Sequence, residues 1–431
     1  MPSNKKYLLP SNAQKNSEPG WLSSLFRKAV EEIEGSVMQD MVFAEAWRFT
    51  NLNAFKALEP IAANSTAILS CPKVFAELNA LELHISNGIL TWIDAVPEYI
   101  DLFDFADRRI TPTWVIEAFG STINTKMHPF TAINTTAFSG GVAMRIRKGA
   151  VMKKPIILLV DTQANGKIVA VNPRVLVVLE EDAVADLIEI HTGSGVYINN
   201  VVTELVIGKN SHISHYKLQA EDTDAFHIAM NAARCAANSI YDNFALSTGA
   251  KLSRNEISAT LAGSHINYSI NGSYLACSDQ HMETVTFIDH VEPACVSHEL
   301  YKGVLANHAQ GVFQGKILVR KNAQQTKGYQ MNRALLLSKE VEINSKPELE
   351  IYADDVTCSH GATVGELDEE QIFYLMARGI SKKRARAIMV SAYVEETINY
   401  IHNLLIRDVF RVVANNWMQQ NIVDTQAIDG S

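Results

Sequence analysis

The spacing of apolar residues divides the chain into three regions, and the first of them has a helical pattern. Apolar residues recur every three or four positions over residues 21–36, directly after the breaker pair Pro19-Gly20, which predicts an amphipathic helix. Mixed helical segments follow, interrupted by a short strand pair over residues 83–90 that is predicted to turn at Asn87-Gly88. We therefore predict a mainly helical N-terminal domain over residues 1–115.

The second region has the residue pattern of a β domain. Short runs of β-branched residues alternate with glycine- and asparagine-containing turns between about residues 130 and 365, with a helical candidate at residues 225–237. A stacked β-solenoid fits this sequence pattern, because each short rung buries its apolar face against neighbouring rungs. A large barrel or two sandwiches would give a similar pattern. The pattern thus predicts a mainly β domain over residues 116–365 and leaves these architectures open.

The third region returns to a helical pattern and carries clear end signals. Acidic residues from Asp368 to Glu370 suit a first helical turn, Gly379 is predicted to end that helix, and Ser381 to cap the next one. A third helix is predicted over about residues 399–417. These helices are too short to fold alone, so we expect a C-terminal helical domain over residues 366–431 that packs on the strands and leaves surface for a partner.

The bulk composition limits the classes of function. The chain has 431 residues, 47% of them hydrophobic, which suffices for a large core and two or three domains. A net charge of −9 without a long Lys/Arg run argues against nucleic-acid binding. The polar N-terminus lacks the apolar core of a signal peptide, and no stretch approaches the roughly 18 apolar residues that span a bilayer. We therefore expect a soluble cytoplasmic protein that binds neither nucleic acid nor membrane.

One thiol–imidazole pair has a spacing that suits a shared ligand site. Cys358 and His360 lie in an extended run just before the C-terminal helices, and residues i and i+2 of a strand point to the same face. Thiolate and imidazole are common ligands of iron and zinc. Two groups cannot complete a metal site, so any metal here would be shared with a second chain. On spacing alone, the alternative is a core cysteine beside a histidine that satisfies a backbone group.

The other candidate residues carry weaker signals. The five cysteines include no Cys-x-x-Cys motif, which argues against a disulfide framework and against a self-contained metal knuckle. No nucleophile elbow, HExxH motif or Walker loop is present. A second set of potential ligands matches no zinc signature, and polar ladders along the strands are its favoured interpretation. That set comprises His281, Asp289, His290, Cys295, His298, Glu299 and His308.

Several longer stretches resemble the SufB/SufD family. The resemblance is carried by residues 297–305, 312–319 and 358–370, and in the N-terminal half by residues 47–52 and 134–141. Within the family the chain is more similar to SufD, because it is short and lacks the clustered N-terminal cysteines of many SufB chains. No cysteine here can be matched to the SufB thiol that accepts sulfur.

The resemblance implies a fold and a set of partners. The fold would be a right-handed parallel β-helix, a single-stranded solenoid, between helical N- and C-terminal domains. The chain would form a cytoplasmic complex with SufB, through the end of the β-helix, and with two copies of the ATPase SufC, through residues 366–431. His360 matches the family histidine that faces SufB, and Cys358 is its neighbour. ATP-driven closure of the SufC pair would then expose the site where a cluster forms.

The resemblance favours a non-enzymatic scaffold subunit for iron–sulfur cluster assembly, with ATP hydrolysis in SufC. His360 and Cys358 would be ligands of a transient iron–sulfur cluster or iron in the assembled complex, and the isolated chain would hold no cofactor. Two alternatives remain: a β-helix enzyme such as a polysaccharide lyase, and a purely structural subunit that stabilises its partners. The isolated chain is also expected to pair with itself through an exposed strand edge.

Overall fold

The computed structural model describes residues 19–34, 45–51, 58–63, 71–125 and 128–423. These residues form a mainly β protein that is built around two long, facing sheets. The first sheet contains β1 (Ile61–Ala62), β4 (Ile100–Asp104), β5 (Gly141–Ile146), β7 (Val169–Val171), β8 (Arg174–Leu179), β10 (Tyr197–Ile207), β12 (Phe226–Cys235), β14 (Leu252–Leu261), β16 (His281–His290), β18 (Gln310–Val319) and β20 (Glu342–Ile351). The second contains β2 (Leu81–Ser86), β3 (Ile89–Ile93), β6 (Ile156–Gln163), β9 (Val184–Ser194), β11 (His212–Gln219), β13 (Ile240–Ser247), β15 (Asn267–Ala276), β17 (Val296–Leu305), β19 (Thr326–Leu336) and β21 (Val356–Glu366).

The chain crosses from one sheet to the other and back, so that the two sheets form a β-solenoid of about eight turns. Successive rungs pair in parallel, and Leu252, His281, Gln310 and Glu342 follow one another in register along the first sheet. Each rung buries its apolar face only through stacking on the rungs beside it. The structure therefore confirms the solenoid and excludes the barrel and the sandwiches that the sequence pattern left open.

A ladder of turn residues marks one corner of the solenoid. Asp182, Asn210 and Asn238 stand in the left-handed backbone region, with φ of 62°, 58° and 58°. Asn210 Nδ2 donates to Asp182 Oδ1 at 2.9 Å, and Asn238 Nδ2 donates to Asn210 Oδ1 at 3.0 Å. Asparagine and aspartate tolerate this conformation better than other side chains. These corners form the weak repeat that the sequence pattern did not reveal.

The main apolar core fills the space between the sheets. Alternate residues of β14, such as Ile257, Ala259 and Leu261, point into this core. The other alternating residues of β14 face outward, where Arg254 and Glu256 form an ion pair and the Arg254 guanidinium lies over the Trp47 ring. The strand period of two thus separates an apolar interior from a second, partly polar layer.

The N-terminal region combines helices with strands. Helices α1 (Gly20–Glu34), α2 (Thr113–Ala118) and α3 (Pro129–Ala137) lie along the outer face of the first sheet. The predicted first helix is thus present, although Ser36 lies outside the described residues.

The predicted strand pair is confirmed as the antiparallel hairpin β2–β3, which turns through Asn87 and Gly88 with φ of 49° and 84°. Strands β2 and β4 also join the long sheets, so the described part of residues 1–115 combines helices with strands of the solenoid.

The helical candidate at residues 225–237 is wrong, because this segment forms strand β12. All ten residues of β12 pair with β10 on one side and β14 on the other. Its alanines have high helical propensity, but ladder hydrogen bonds on both edges and burial of both faces outweigh that local preference.

The C-terminal helices begin and end at the predicted signals. Asp368 caps α4 (Glu369–Met376), Gly379 adopts φ of 84° after it, and Ser381 caps α5 (Lys382–Ile398). The last helix, α6 (Leu404–Met418), begins later than predicted because Asn403 supplies its cap. Helices α5 and α6 pack on the outer face of the second sheet and share a core with its outward side chains. No helix within the described ranges is long and apolar enough to cross a membrane.

A candidate ligand pair at the open end of the solenoid

The last rung of the solenoid carries the predicted thiol–imidazole pair. Strand β21 pairs with β19 on one edge only, and β20 likewise pairs only with β18, so both strands leave backbone groups open at the end of the sheets. Cys358 and His360 lie in β21 two residues apart and therefore project from the same face, as predicted.

Cys358 is half-buried and packs at the edge of a small apolar cluster that includes Ile317 and Leu349. Its register partner is Gly328, where an added Cβ would lie 3.3 Å from the Cys358 Sγ. Burial raises the pKa of the thiol, so Cys358 is mainly protonated at neutral pH in the isolated chain. A metal ion would have to displace that proton to bind the thiolate.

His360 is exposed at the same end, in register with the buried side chain of Gln330. Its imidazole is therefore accessible to a ligand or to another chain. Within the part of the chain that the structure describes, no group of three or more His, Cys, Asp or Glu side chains is arranged to hold a metal ion. The side chains of the pair have a chemistry that suits iron or zinc, and a metal ion held by them would need further ligands from outside the described residues.

The second set of potential ligands is dispersed, in agreement with its structural interpretation. Asp289 pairs with Arg320 at 2.8 Å, His290 contacts the Ser297 hydroxyl at 2.9 Å, and the His298 ring stacks on Tyr400. The remaining members have separate surroundings. His281 lies beside Thr50, Cys295 Sγ beside the Gly263 carbonyl, Glu299 beside Gln330, and His308 at an exposed turn beside Asp279.

Apolar side chains surround the open end. Tyr352 is 60% exposed and Val364 is 53% exposed, and Tyr329 and Ile351 are also accessible. Unpaired strand edges beside exposed apolar side chains are typical of a surface that is covered by another chain.

The C-terminal helices present a second accessible apolar surface. Phe373 and Tyr374 of α4, Leu404 and Leu405 of α6, and Ile388 of α5 are all exposed. Other residues of α5 and α6 are buried against the second sheet, and Ile372 of α4 is buried as well, so each helix has one packed face and one exposed apolar face.

A polar contact that the sequence did not indicate joins these helices to the solenoid. Lys302 of β17 is 1% exposed, forms an ion pair with Glu396 of α5, and donates to the Tyr393 carbonyl at 3.1 Å. Arg333 of β19 also reaches Glu396, at 3.4 Å. Nothing in the local pattern predicts such a pairing, because its partners are more than sixty positions apart.

The described residues thus form a β-solenoid with helices on both outer faces and a thiol–imidazole pair at its open end. Residues 160–393 match the family model described as "SUF system FeS cluster assembly, SufBD core domain". An iron–sulfur cluster assembly SufBD family protein of Synechocystis is 30% identical over 397 residues, which are 87% of this chain and 86% of that protein.

Two proteins named SufD are also similar. The Escherichia coli protein is 32% identical over 58% of this chain and 60% of its own length, and the Bacillus subtilis protein is 24% identical over 91% and 92%. The chain belongs to the SufBD family of the SUF iron–sulfur cluster assembly system, and its likeness is to SufD members. The expected family is therefore confirmed.

Proposed function

We propose that this chain is the SufD-type scaffold subunit of a complex with SufB and SufC, and that it contributes part of the site where an iron–sulfur cluster forms. The observation that carries the proposal is the placement of Cys358 and His360 on the last, one-sided strand of the solenoid. A half-site at an open strand edge is completed when a second chain continues the sheets. SufB is the partner that this proposal assigns to that edge.

The chemistry of the pair suits iron that is bound in transit. Neutral imidazole and thiolate both bind iron, and the proton of the Cys358 thiol leaves when the metal binds. His360 is the more accessible ligand, whereas Cys358 lies partly beneath apolar side chains. We therefore assign His360 the main role and Cys358 an accessory one. The cluster or iron is the cargo of the complex, and the chain itself performs no catalysis.

SufC is proposed to dock on the free faces of the C-terminal helices, within residues 366–431. The exposed aromatic pair Phe373 and Tyr374 on α4 is the type of apolar anchor that dominates protein interfaces. Movement of these helices would be transmitted to the solenoid through the contact of Lys302 with Glu396. Lys302 lies on β17, which pairs with β19, and β19 pairs with β21. ATP hydrolysis would reside in SufC.

The proposal predicts that His360→Ala abolishes cluster formation in a reconstituted complex of this chain with SufB and SufC. The substitution removes an exposed imidazole, so the variant should fold and assemble as the unchanged chain does. Cluster formation would be followed by visible absorbance after addition of iron and a sulfur donor.

His308→Ala is the matched control, because His308 is an exposed histidine at a turn of the solenoid away from β21. A full cluster yield from the His360→Ala complex would contradict the ligand role and would favour a purely structural subunit. The family match offers no support for the polysaccharide-lyase alternative.

A further inference from the structure

Buried polar side chains lead from the solenoid interior to His360. Glu299 of β17, Gln330 of β19 and His360 of β21 occupy the same position in three successive rungs. Glu299 is 1% exposed and Gln330 is 2% exposed, whereas His360 stands at the accessible end. Gln330 Nε2 donates to Glu299 Oε2 at 2.6 Å, so the two inner residues are already joined.

The other polar atom of the Gln330 amide has no hydrogen-bond partner within the described residues. Gln330 Oε1 is buried and unsatisfied. Buried polar atoms are nearly always paired, and an unpaired one in a native structure calls for a ligand, a water molecule or a neighbouring side chain. The next side chain in register toward the open end is His360.

Two neighbours determine the orientation of the Gln330 amide. An ionised Glu299 carboxylate accepts hydrogen bonds and cannot donate them, so the amide NH2 must face it and Oε1 must face away. Across the interior lies Gly315 of β18, where an added Cβ would stand 2.2 Å from Gln330 Nε2. The glycine therefore provides the space in which the Gln330 side chain reaches Glu299.

We propose that Gln330 is a positioning residue for His360, whose ring N–H donates to Gln330 Oε1. That hydrogen bond fixes the imidazole tautomer and leaves the other ring nitrogen free to bind a metal ion that is shared with the partner chain. Metal-binding histidines ordinarily donate their second N–H to a carboxylate or carbonyl group, which orients the ring. Glu299 acts through Gln330 by holding the amide in the accepting orientation. This inference rests on the proposed ligand role of His360 and deepens it.

The test is the tautomer of His360 in the full chain, read from imidazole nitrogen resonances after labelling with 15N-histidine. The His360 signals are identified by their loss in His360→Gln. Because burial raises the pKa of Glu299 to about 7, the spectra are recorded at pH 8, where the carboxylate form is in excess. In the unchanged chain we expect one dominant tautomer, and in Gln330→Leu a change of about fivefold in the tautomer ratio, as the loss of one ordinary hydrogen bond predicts.

Asn332→Leu is the matched control. Asn332 is a buried amide on the same strand. It accepts a hydrogen bond from the Tyr274 hydroxyl and donates one to the Ser345 hydroxyl, and it has no hydrogen bond with Glu299 among the described residues. Its loss should leave the His360 tautomer ratio unchanged. Glu299→Gln is the milder second variant, since a neutral amide at this position lets Gln330 take either orientation and should weaken the tautomer preference without removing a side chain.

Equal tautomer ratios in the unchanged chain and in Gln330→Leu would overturn the inference, and so would equal shifts in both leucine variants. If Gln330→Leu does not fold, the same decision rests on Glu299→Gln. These measurements involve no metal, so they are independent of the proposed function. A tautomer shift together with normal cluster formation in His360→Ala would retain the inference about Gln330 and reject the ligand role of His360.

Discussion

The ionisation of one buried residue in the solenoid interior, Glu299, is linked to folding. Glu299 is fully enclosed, and burial raises the pKa of its carboxyl group to about 7 despite the hydrogen bond from Gln330. The unfolded chain has an ordinary glutamate there, with a pKa of about 4.3. Between these values the folded state binds a proton that the unfolded state has released, so the contribution of Glu299 to stability falls as the pH rises.

The linkage is tested by comparing the unfolding free energy of the unchanged chain with that of Glu299→Gln between pH 4.5 and pH 8. The unfolding free energy of the unchanged chain should fall relative to that of Glu299→Gln by up to about 1.4 kcal/mol per pH unit as the pH rises toward 7. Above pH 7 the difference between the two unfolding free energies should level off. Urea unfolding followed by circular dichroism measures it. A pH-independent difference would show that Glu299 titrates as an ordinary surface carboxyl group.

At the scale of elements, the C-terminal helices depend on tertiary packing more than on their own sequence. Phe410 of α6 is fully buried, and its ring lies 6.1 Å from Phe75 and 5.4 Å from Phe244, so it joins a helix, a 3₁₀ turn and a strand. Short helices are marginal in water, and most of their stability in proteins comes from such a buried face.

Phe410→Ala should therefore destabilise the chain by about 3–5 kcal/mol, since it removes a buried ring and leaves a cavity. Val412→Ala on the same helix is the control, because Val412 is 46% exposed and its loss should change stability by about 0.5 kcal/mol or less. Thermal unfolding of the two variants gives the comparison. Similar losses of stability in both would mean that α6 is not anchored through Phe410.

At the scale of the whole molecule, the open end of the solenoid is the surface at which we expect association. Strands β20 and β21 each have one unpaired edge, and exposed Val364 lies among the side chains at that end. When the proposed partner SufB is absent, a second copy of the chain offers the same strand edges, so we expect the isolated protein to self-associate there.

Val364→Lys should weaken that self-association by about tenfold or more, because it places an unpaired charge in the interface. Ile110→Lys is the control, since Ile110 is 88% exposed in a loop outside the last rung. Sedimentation velocity over a range of concentrations measures both. An equally strong dimer in both variants would place the contact elsewhere on the molecule.

The sequence by itself determined the features that depend on a few neighbouring residues. The caps at Asp368 and Ser381, the helix end at Gly379 and the hairpin turn at Asn87-Gly88 involve hydrogen bonds and backbone angles within about four positions. The spacing of Cys358 and His360 likewise fixed that they share a face, once the strand was recognised. Local chemistry is sufficient for all of these because the interacting atoms are close along the chain.

Only the tertiary structure decided which distant residues meet. Parallel pairing joins positions about thirty residues apart, such as Gln330 and His360, and the local period of a strand carries no information about that register. For the same reason residues 225–237 form a strand between two others despite their alanine content. The alignment of Glu299, Gln330 and His360 exists only because three rungs stack, so it is a property of the solenoid and of no single segment.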